Sequence, residues 1–178
     1  MKLLQQRDDD LCVIYKPNKK SSYFFNSFFM YSLITAKGEY NYNNIKKWSD
    51  KFNIFNMDKI FFPININNSH WSLTIVFIML KKIVYFDSLH RNGEIYVDSL
   101  MQWIIDEGYN RYKKIINKED WKLMYKNTAC PKQGNDNDCG VFTILCANYN
   151  SDNLELTYNQ DQMNFFRIRL AINMIHGN

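Results

Sequence analysis

The order of patterned segments predicts an α+β fold. Helical periodicity marks both ends of the chain, a block of β-branched and aromatic runs fills its middle, and strand does not alternate with helix in the way that builds a parallel βαβ sheet. Three consecutive runs, KIFFPINI, HWSLTIVFIML and KIVYFDSL, are separated by polar breaks at 67–69 and 81–82, which is the pattern of an antiparallel meander. At 178 residues, with 46% hydrophobic and 16% aromatic residues, the chain has material for one core, and residues 1–178 contain no internal repeat, linker or composition shift. A central, mostly antiparallel sheet flanked by helices is expected.

Taken in order, MKLLQQRDDD reads as the end of a helix running into an acidic loop, and residues 17–20 as a polar connector. SSYFFNSFFMYSLITA spreads apolar residues over most of a helical cylinder, with Ser21 or Ser22 as N-cap and Gly38 as its stop. YNNIKKWSDKF places Ile45, Trp48 and Phe52 at the spacing of a short amphipathic helix. The nearly unbroken apolar stretch 73–80 implies a central strand covered on both faces.

EIYVDSLMQWIIDE carries Val97, Leu100, Met101, Ile104 and Ile105 on one helical face, and Gly108 is the expected terminator. WKLMYKN offers a further short strand. After the polar loop 130–138, CGVFTILCANY is an apolar helix or strand, and DQMNFFRIRLAINMIH closes the chain as a helix.

Composition excludes several function classes. The formal charge of +4 comes from 22 basic and 18 acidic residues scattered along the chain, without the concentrated stripe of a nucleic-acid binder. No signal-peptide pattern opens the sequence, and its longest apolar run is far short of the ~20 residues that span a bilayer. The four cysteines, Cys12, Cys130, Cys139 and Cys146, form no C-x-x-C pair, and three histidines give a structural zinc site little to be built from. The expectation is a reduced intracellular monomer that uses no metal or cofactor.

Chemistry concentrates in three places. Cys139 follows the polar loop GNDND and precedes Gly140 and an apolar run, so it stands where a helix N-terminus would lower a thiol pKa. A cysteine beside a glycine at the start of a buried helix is also a common small core residue, and spacing alone does not choose between the two. His70, after a polar turn at the mouth of the strongest strand, has the rigid placement a general base needs, although a strand-end surface histidine looks the same in sequence. Asp87 interrupts the apolar run IVYFDSL, which is costly unless the carboxylate is paired, and an imidazole N–H would pair it. Gln133, in the loop that delivers Cys139, offers an amide donor for an oxyanion, or is simply solvated.

Together, His70 and Trp71, then YFDS at 85–88, then QGNDNDCG at 133–140, resemble the His-Trp, Asp-Ser and Gln-x-Asn-x-x-Asp-Cys-Gly blocks of the SUMO-specific (sentrin-specific) protease family. SSYFFNSFFMYSL, IKKWSDKFNIFNMDKIFFPI and the closing NQDQMNFFRIRLAINMIH are similar to further segments of that family. The resemblance implies a papain-like cysteine protease fold, with His70 as base, Asp87 as its orienter, Gln133 as oxyanion donor and Cys139 as nucleophile. Cleavage would follow the C-terminal Gly-Gly of SUMO, in precursors or in lysine conjugates, in the nucleus, the cytoplasm or both. Trp71 matches the tryptophan that flattens the tunnel for the diglycine tail, and Gly140 leaves room for a substrate backbone. The family's upstream Trp-Leu-x-Asp segment is not in this chain, which opens at the helix that should follow it. Two other readings compete: a NEDD8-specific protease with the same blocks, and a weakly active SUMO-binding module.

Overall fold

The structure is a computed structural model that describes residues 1–15 and 21–177. Five strands, β1 (Tyr23–Phe24), β2 (Lys59–Ile66), β3 (His70–Phe77), β4 (Lys82–Phe86) and β5 (Lys122–Met124), form one sheet in the spatial order β1-β2-β3-β4-β5. Five helices accompany them: α1 (Lys2–Ile14), α2 (Phe28–Leu33), α3 (Glu94–Tyr112), α4 (Cys139–Ser151) and α5 (Met163–His176). The fold is α+β. β2, β3 and β4 pair as the antiparallel meander the sequence predicts, while β1 on β2 and β5 on β4 are parallel, so the sheet is mixed at its edges.

Turn chemistry sets the register. Asn67 and Asn68 both take positive φ, 51° and 54°, which asparagine tolerates, in the three-residue turn 67–69 between β2 and β3. Ile66 therefore pairs with His70, and the imidazole becomes the first side chain of β3. The β3–β4 register sets Leu73 opposite Phe86, so Asp87 emerges from β4 beside the strand end that carries His70.

Alternation along the strands divides the core between the two faces of the sheet. Ile60, Phe62, Ile64, Val76, Ile83 and Tyr85 pack with α2 and α3 around Trp103, whereas Phe61, Leu73, Ile75, Val84 and Phe86 pack with Cys146 and Ala147 of α4. β3 is thus the central strand, covered on both faces. Its strand character ends at Phe77, however, and the last apolar residues of the stretch, Met79 and Leu80, are exposed in the turn before Lys81, whose φ is 45°.

Several local expectations are corrected. α1 continues to Ile14, so the acidic run lies inside the helix, where buried Asp8 accepts the Ser22 amide at 2.8 Å. The expected connector at 17–20 lies outside the described residues. The helix expected from Ser21 is split: Tyr23 and Phe24 pair with Ile60 and Phe61 as β1, Asn26 accepts the Phe28 amide at 3.0 Å, and only Phe28–Leu33 is helical. Packing overrides the local helical pattern, since Phe25 stacks on Phe62 at 5.1 Å and Phe29 meets Trp103 edge-on at 5.2 Å. Gly38, with φ 80°, turns the short loop between Ile34 and Tyr40 and does not end the helix.

YNNIKKWSDKF forms 3₁₀ and reverse turns in place of an α-helix. Ile45 still reaches the core, with Trp48 and Phe52 packed against it, and the segment is pinned to α3: Tyr42 donates to buried Glu107 at 2.8 Å, and Glu107 pairs with Arg111 at 2.6 Å. α3 runs through Gly108 and ends at Lys113 in the left-handed conformation. Glycine is required there for space, because a Cβ on Gly108 would lie 2.9 Å from Cγ1 of Ile116.

Candidate active site

His70 and Asp87 meet. The imidazole Nε2 lies 2.8 Å from Asp87 Oδ1, with the two residues only 5% and 2% exposed. A carboxylate accepts, so Nε2 carries the proton of this bond and Nδ1 is left as the nitrogen able to take a further proton. Asp87 is itself held: Oδ1 also accepts the Leu89 amide at 2.8 Å and Oδ2 the Tyr85 phenol at 3.1 Å. The cost of a carboxylate in an apolar run is met by these three donors.

Cys139 is the first residue of α4 and is buried. The side chain there faces the partial positive end of the helix dipole. Of the helix or strand that the run from Cys139 allowed, the helix is present, but the Asp and Asn residues of GNDND, whose types suit capping, do not cap it through Asp138. Asp138 occupies the N-cap position and its carbonyl accepts Phe142 N–H at 3.0 Å, yet its side chain caps nothing. The first-turn amides, that of Cys139 among them, are not covered by Asp138 and point where negative charge would be stabilised.

The Asp138 carboxylate instead ties the loop to the end of the chain. Oδ2 accepts Asn135 Nδ2 and Gln160 Nε2, both at 2.7 Å, and Oδ1 accepts Arg167 Nε at 2.9 Å. Burial alone would raise its pKa, but the hydrogen bonds from Asn135, Gln160 and Arg167 outweigh it and hold the carboxyl below its ordinary value. Asn135 Oδ1 in turn accepts the amides of Asn137 and Asp138, so the segment before the cysteine is wired from both sides.

Gln133 is buried, which removes the solvated alternative. Its amide N–H donates to Ser88 O at 3.0 Å, the Ser88 hydroxyl donates to its Oε1, and Nε2 donates to Asn135 O. Nε2 has two protons, of which the bond to Asn135 uses one. Ser88 follows Asp87 directly, and the loop carrying the amide is thereby docked on the strand carrying the carboxylate.

Trp71 and Gly140 bring the remaining pieces together. A Cβ on Gly140 would lie 3.6 Å from Trp71 Cδ1, so the indole lies against the first turn of α4, and His70 and Cys139 each immediately precede a member of this contact. The other cysteines and histidines lie elsewhere. Cys130 and Cys146 share the core under α4, and burial, with Cys130 adjacent, pushes the Cys146 thiol well above its ordinary range. Cys12 lies on α1, His90 faces the Cys130 carbonyl at 2.7 Å, and His176 ends α5. Among the described residues no group of His, Cys, Asp and Glu is arranged to hold a metal ion, and no helix is long and apolar enough to cross a membrane.

Tyr85 and Ser88 lie within the sequence blocks singled out above, but sequence reading gave them no role, and the Asp and Asn residues of GNDND suggested only helix caps. Gly93, Gln160 and Arg167 gave no signal at all, because a contact across 29 residues between Arg167 and Asp138 leaves no trace in local pattern.

Comparison with known proteins gives a consistent result. Residues 2–176 match the Ulp1 protease family, C-terminal catalytic domain. The chain is 31% identical over 153 residues to ubiquitin-like-specific protease 1A of Arabidopsis thaliana, and 31% identical over 164 residues to sentrin-specific protease 2 of Homo sapiens. These alignments cover 84% and 89% of this chain but only 30% and 27% of those relatives. Among solved structures, the C-terminal Ulp1 protease domain in complex with Smt3, the yeast ortholog of SUMO, is 28% identical with a TM-score of 0.71, covering 93% of this chain and 71% of that one. The SUMO protease Ulp1 with its catalytic cysteine oxidized to a sulfenic acid is 28% identical with a TM-score of 0.78, covering 99% and 73%.

Proposed function

The chain belongs to the Ulp1 protease family, and on that premise we propose that it is a thiol protease that cleaves after the C-terminal Gly-Gly of SUMO. The observation that carries this reading is the buried 2.8 Å bond from His70 Nε2 to Asp87 Oδ1, with Trp71, the residue after His70, against Gly140, the residue after Cys139. The site residues take these roles. With Nε2 committed to Asp87, His70 takes the Cys139 proton on Nδ1, and the thiolate is formed at the N-terminus of α4.

The thiolate attacks the carbonyl of the last glycine of SUMO. The tetrahedral oxyanion lies between the Cys139 amide and the free N–H of Gln133 Nε2, two donors already oriented before substrate arrives. His70 returns its proton to the leaving amine, and water, deprotonated by the same imidazole, then hydrolyses the thioester. An α-amine leaving group makes this precursor maturation, and a lysine ε-amine makes it deconjugation. Trp71, whose indole lies against Gly140, supplies the flat aromatic surface along which the diglycine tail passes, favouring glycine over larger residues. The enzyme acts inside the cell, in the nucleus, the cytoplasm or both.

The test is release of a C-terminal fluorogenic group from SUMO, NEDD8 and ubiquitin by the chain and by Cys139→Ala. SUMO-selective release that is absent in the variant is the expected result. Release from NEDD8 in place of SUMO would keep the mechanism and change the substrate, whereas SUMO binding without turnover would mark a binding module. The complete set of polar site residues argues against the module, which has no use for a buried imidazole–carboxylate pair.

A further inference from the structure

Asp87 can orient His70 only while its carboxylate stays in one plane. The torsion that rotates a carboxylate is broad and soft, so a single acceptor bond does not fix it. Here Oδ1 serves both the imidazole and the Leu89 amide at 2.8 Å, and the other oxygen meets the phenol of Tyr85 at 3.1 Å. Tyr85 comes from β4 two residues before Asp87, and the two side chains share a face of the strand.

The ring that carries this hydroxyl is unusually confined. Tyr85 is 1% exposed, and Tyr96 of α3 stacks on it with ring centroids 5.8 Å apart and planes 21° from parallel. Gly93 closes the remaining space: a Cβ there would stand 2.2 Å from Cγ of Tyr85, closer than atoms can approach. The glycine backbone is itself fixed, its N–H donating to Tyr125 O at 2.8 Å and its carbonyl accepting from Tyr96 and Val97 at 3.0 Å. Burial raises the phenol pKa, and the charge and hydrogen bond of Asp87 add to it against an opposing contribution from Ser72, so the hydroxyl keeps its proton and acts toward Asp87 as a donor. A ring needed only for packing could be phenylalanine. The hydroxyl must therefore be explained by what it touches.

We propose that Tyr85 is a positioning residue for the His70–Asp87 pair, its phenol locking the second carboxylate oxygen so that the first stays on the imidazole, with Gly93 supplying the space that lets the ring lie there. The inference rests on the reading of His70 as the base and Asp87 as its orienter. Tyr85→Phe keeps the ring and its packing and removes only the donor, so folding survives the change and thermal melting verifies it.

Two readouts distinguish positioning from packing. The proton on His70 Nε2, hydrogen-bonded to Asp87, gives a low-field proton resonance in water, assigned by its loss in Asp87→Asn. In Tyr85→Phe this signal should broaden or disappear through exchange. With the fluorogenic SUMO substrate, kcat should fall about tenfold at unchanged KM. A resonance unchanged between wild type and variant, or one absent already in the wild type, overturns the proposal, and so does an unchanged kcat. If the wild type shows the resonance and the variant loses it while neither cleaves any substrate, the positioning role stands and the proteolytic reading fails.

Discussion

Arg167 of α5 and Asp138 at the N-cap of α4 are joined by two nitrogens on one oxygen, Nε at 2.9 Å and Nη2 at 2.5 Å from Oδ1. The last helix of the chain is thus fastened to the residue immediately before Cys139. The guanidinium is partly exposed and the carboxylate is not, so the pair lies between the surface and buried regimes.

Arg167→Ala should lower stability by roughly 1–2 kcal/mol, leaving Asn135 and Gln160 to hold the carboxylate. The sign of its pH dependence follows from a folded-state pKa below the ordinary 3.8. Stability from such a group is present above the unfolded value and lost as pH falls through the folded one. The melting temperatures of wild type and variant should differ at neutral pH and converge below pH 3.8. A gap that persists at low pH would mean the arginine acts through packing.

Thiol reactivity should be sharply unequal. Cys146, buried beside Cys130, is held protonated and inert, whereas Cys139 has its helix terminus and the neighbouring strand end that carries His70. Limited iodoacetamide at neutral pH should modify Cys139 and leave Cys146 unmodified, read by peptide mass mapping. His70→Gln should slow alkylation of Cys139 by about tenfold or more. Equal rates in wild type and variant would break the assignment of His70 as base.

Ser88 and Gln133 provide a graded test. Gln133→Ala removes the proposed oxyanion donor and should reduce kcat by about 10²- to 10³-fold with little change in KM. Ser88→Ala leaves the amide present but releases its oxygen, so the loss should be smaller, about tenfold. If Ser88→Ala were as damaging as Gln133→Ala, the serine would have a direct role that this geometry does not give it.

Two glycines should respond oppositely to alanine. In an exposed helix interior the exchange gains up to about 1 kcal/mol, yet at Gly108 the new methyl meets Ile116 at 2.9 Å, Phe55 at 3.3 Å and the Lys114 carbonyl at 3.4 Å. Overpacking should win, with net loss of about 1–3 kcal/mol by chemical denaturation. At Gly140 the nearest atom is at 3.6 Å, an ordinary contact, so Gly140→Ala should fold normally and lose activity by crowding the passage beside Trp71.

The candidate site residues were the most legible part of the sequence. His70, Asp87 and Cys139 each break or border an apolar run, and breaks in apolar runs are what sequence shows best. Gln133 was not decidable from its own neighbourhood, since its burial depends on Ser88 from a different element. The meander was legible because β-branched runs between asparagine turns have few other solutions. Elsewhere, long-range packing overrode local preference: Tyr23 and Phe24 became a strand because β2 was there to pair with, and the 41–52 segment stayed in turns pinned by Tyr42 to Glu107. α3 ran through Gly108 because a neighbouring chain segment needed the missing methyl group's space, which no helix-stop rule anticipates.

The sheet's outer strands are two and three residues long, while its middle holds a nearly continuous run of Leu73, Ile75, Val76 and their β2 partners. That middle is the kind of segment that stacks into fibrils when its edge is open. With so few free amides and carbonyls at either margin, the native molecule offers little template for another chain to extend. Growth into insoluble assemblies would have to start from molecules in which β1 or β5 has peeled away, so colloidal shelf life should follow the local opening of these two short segments more than the global unfolding of the core.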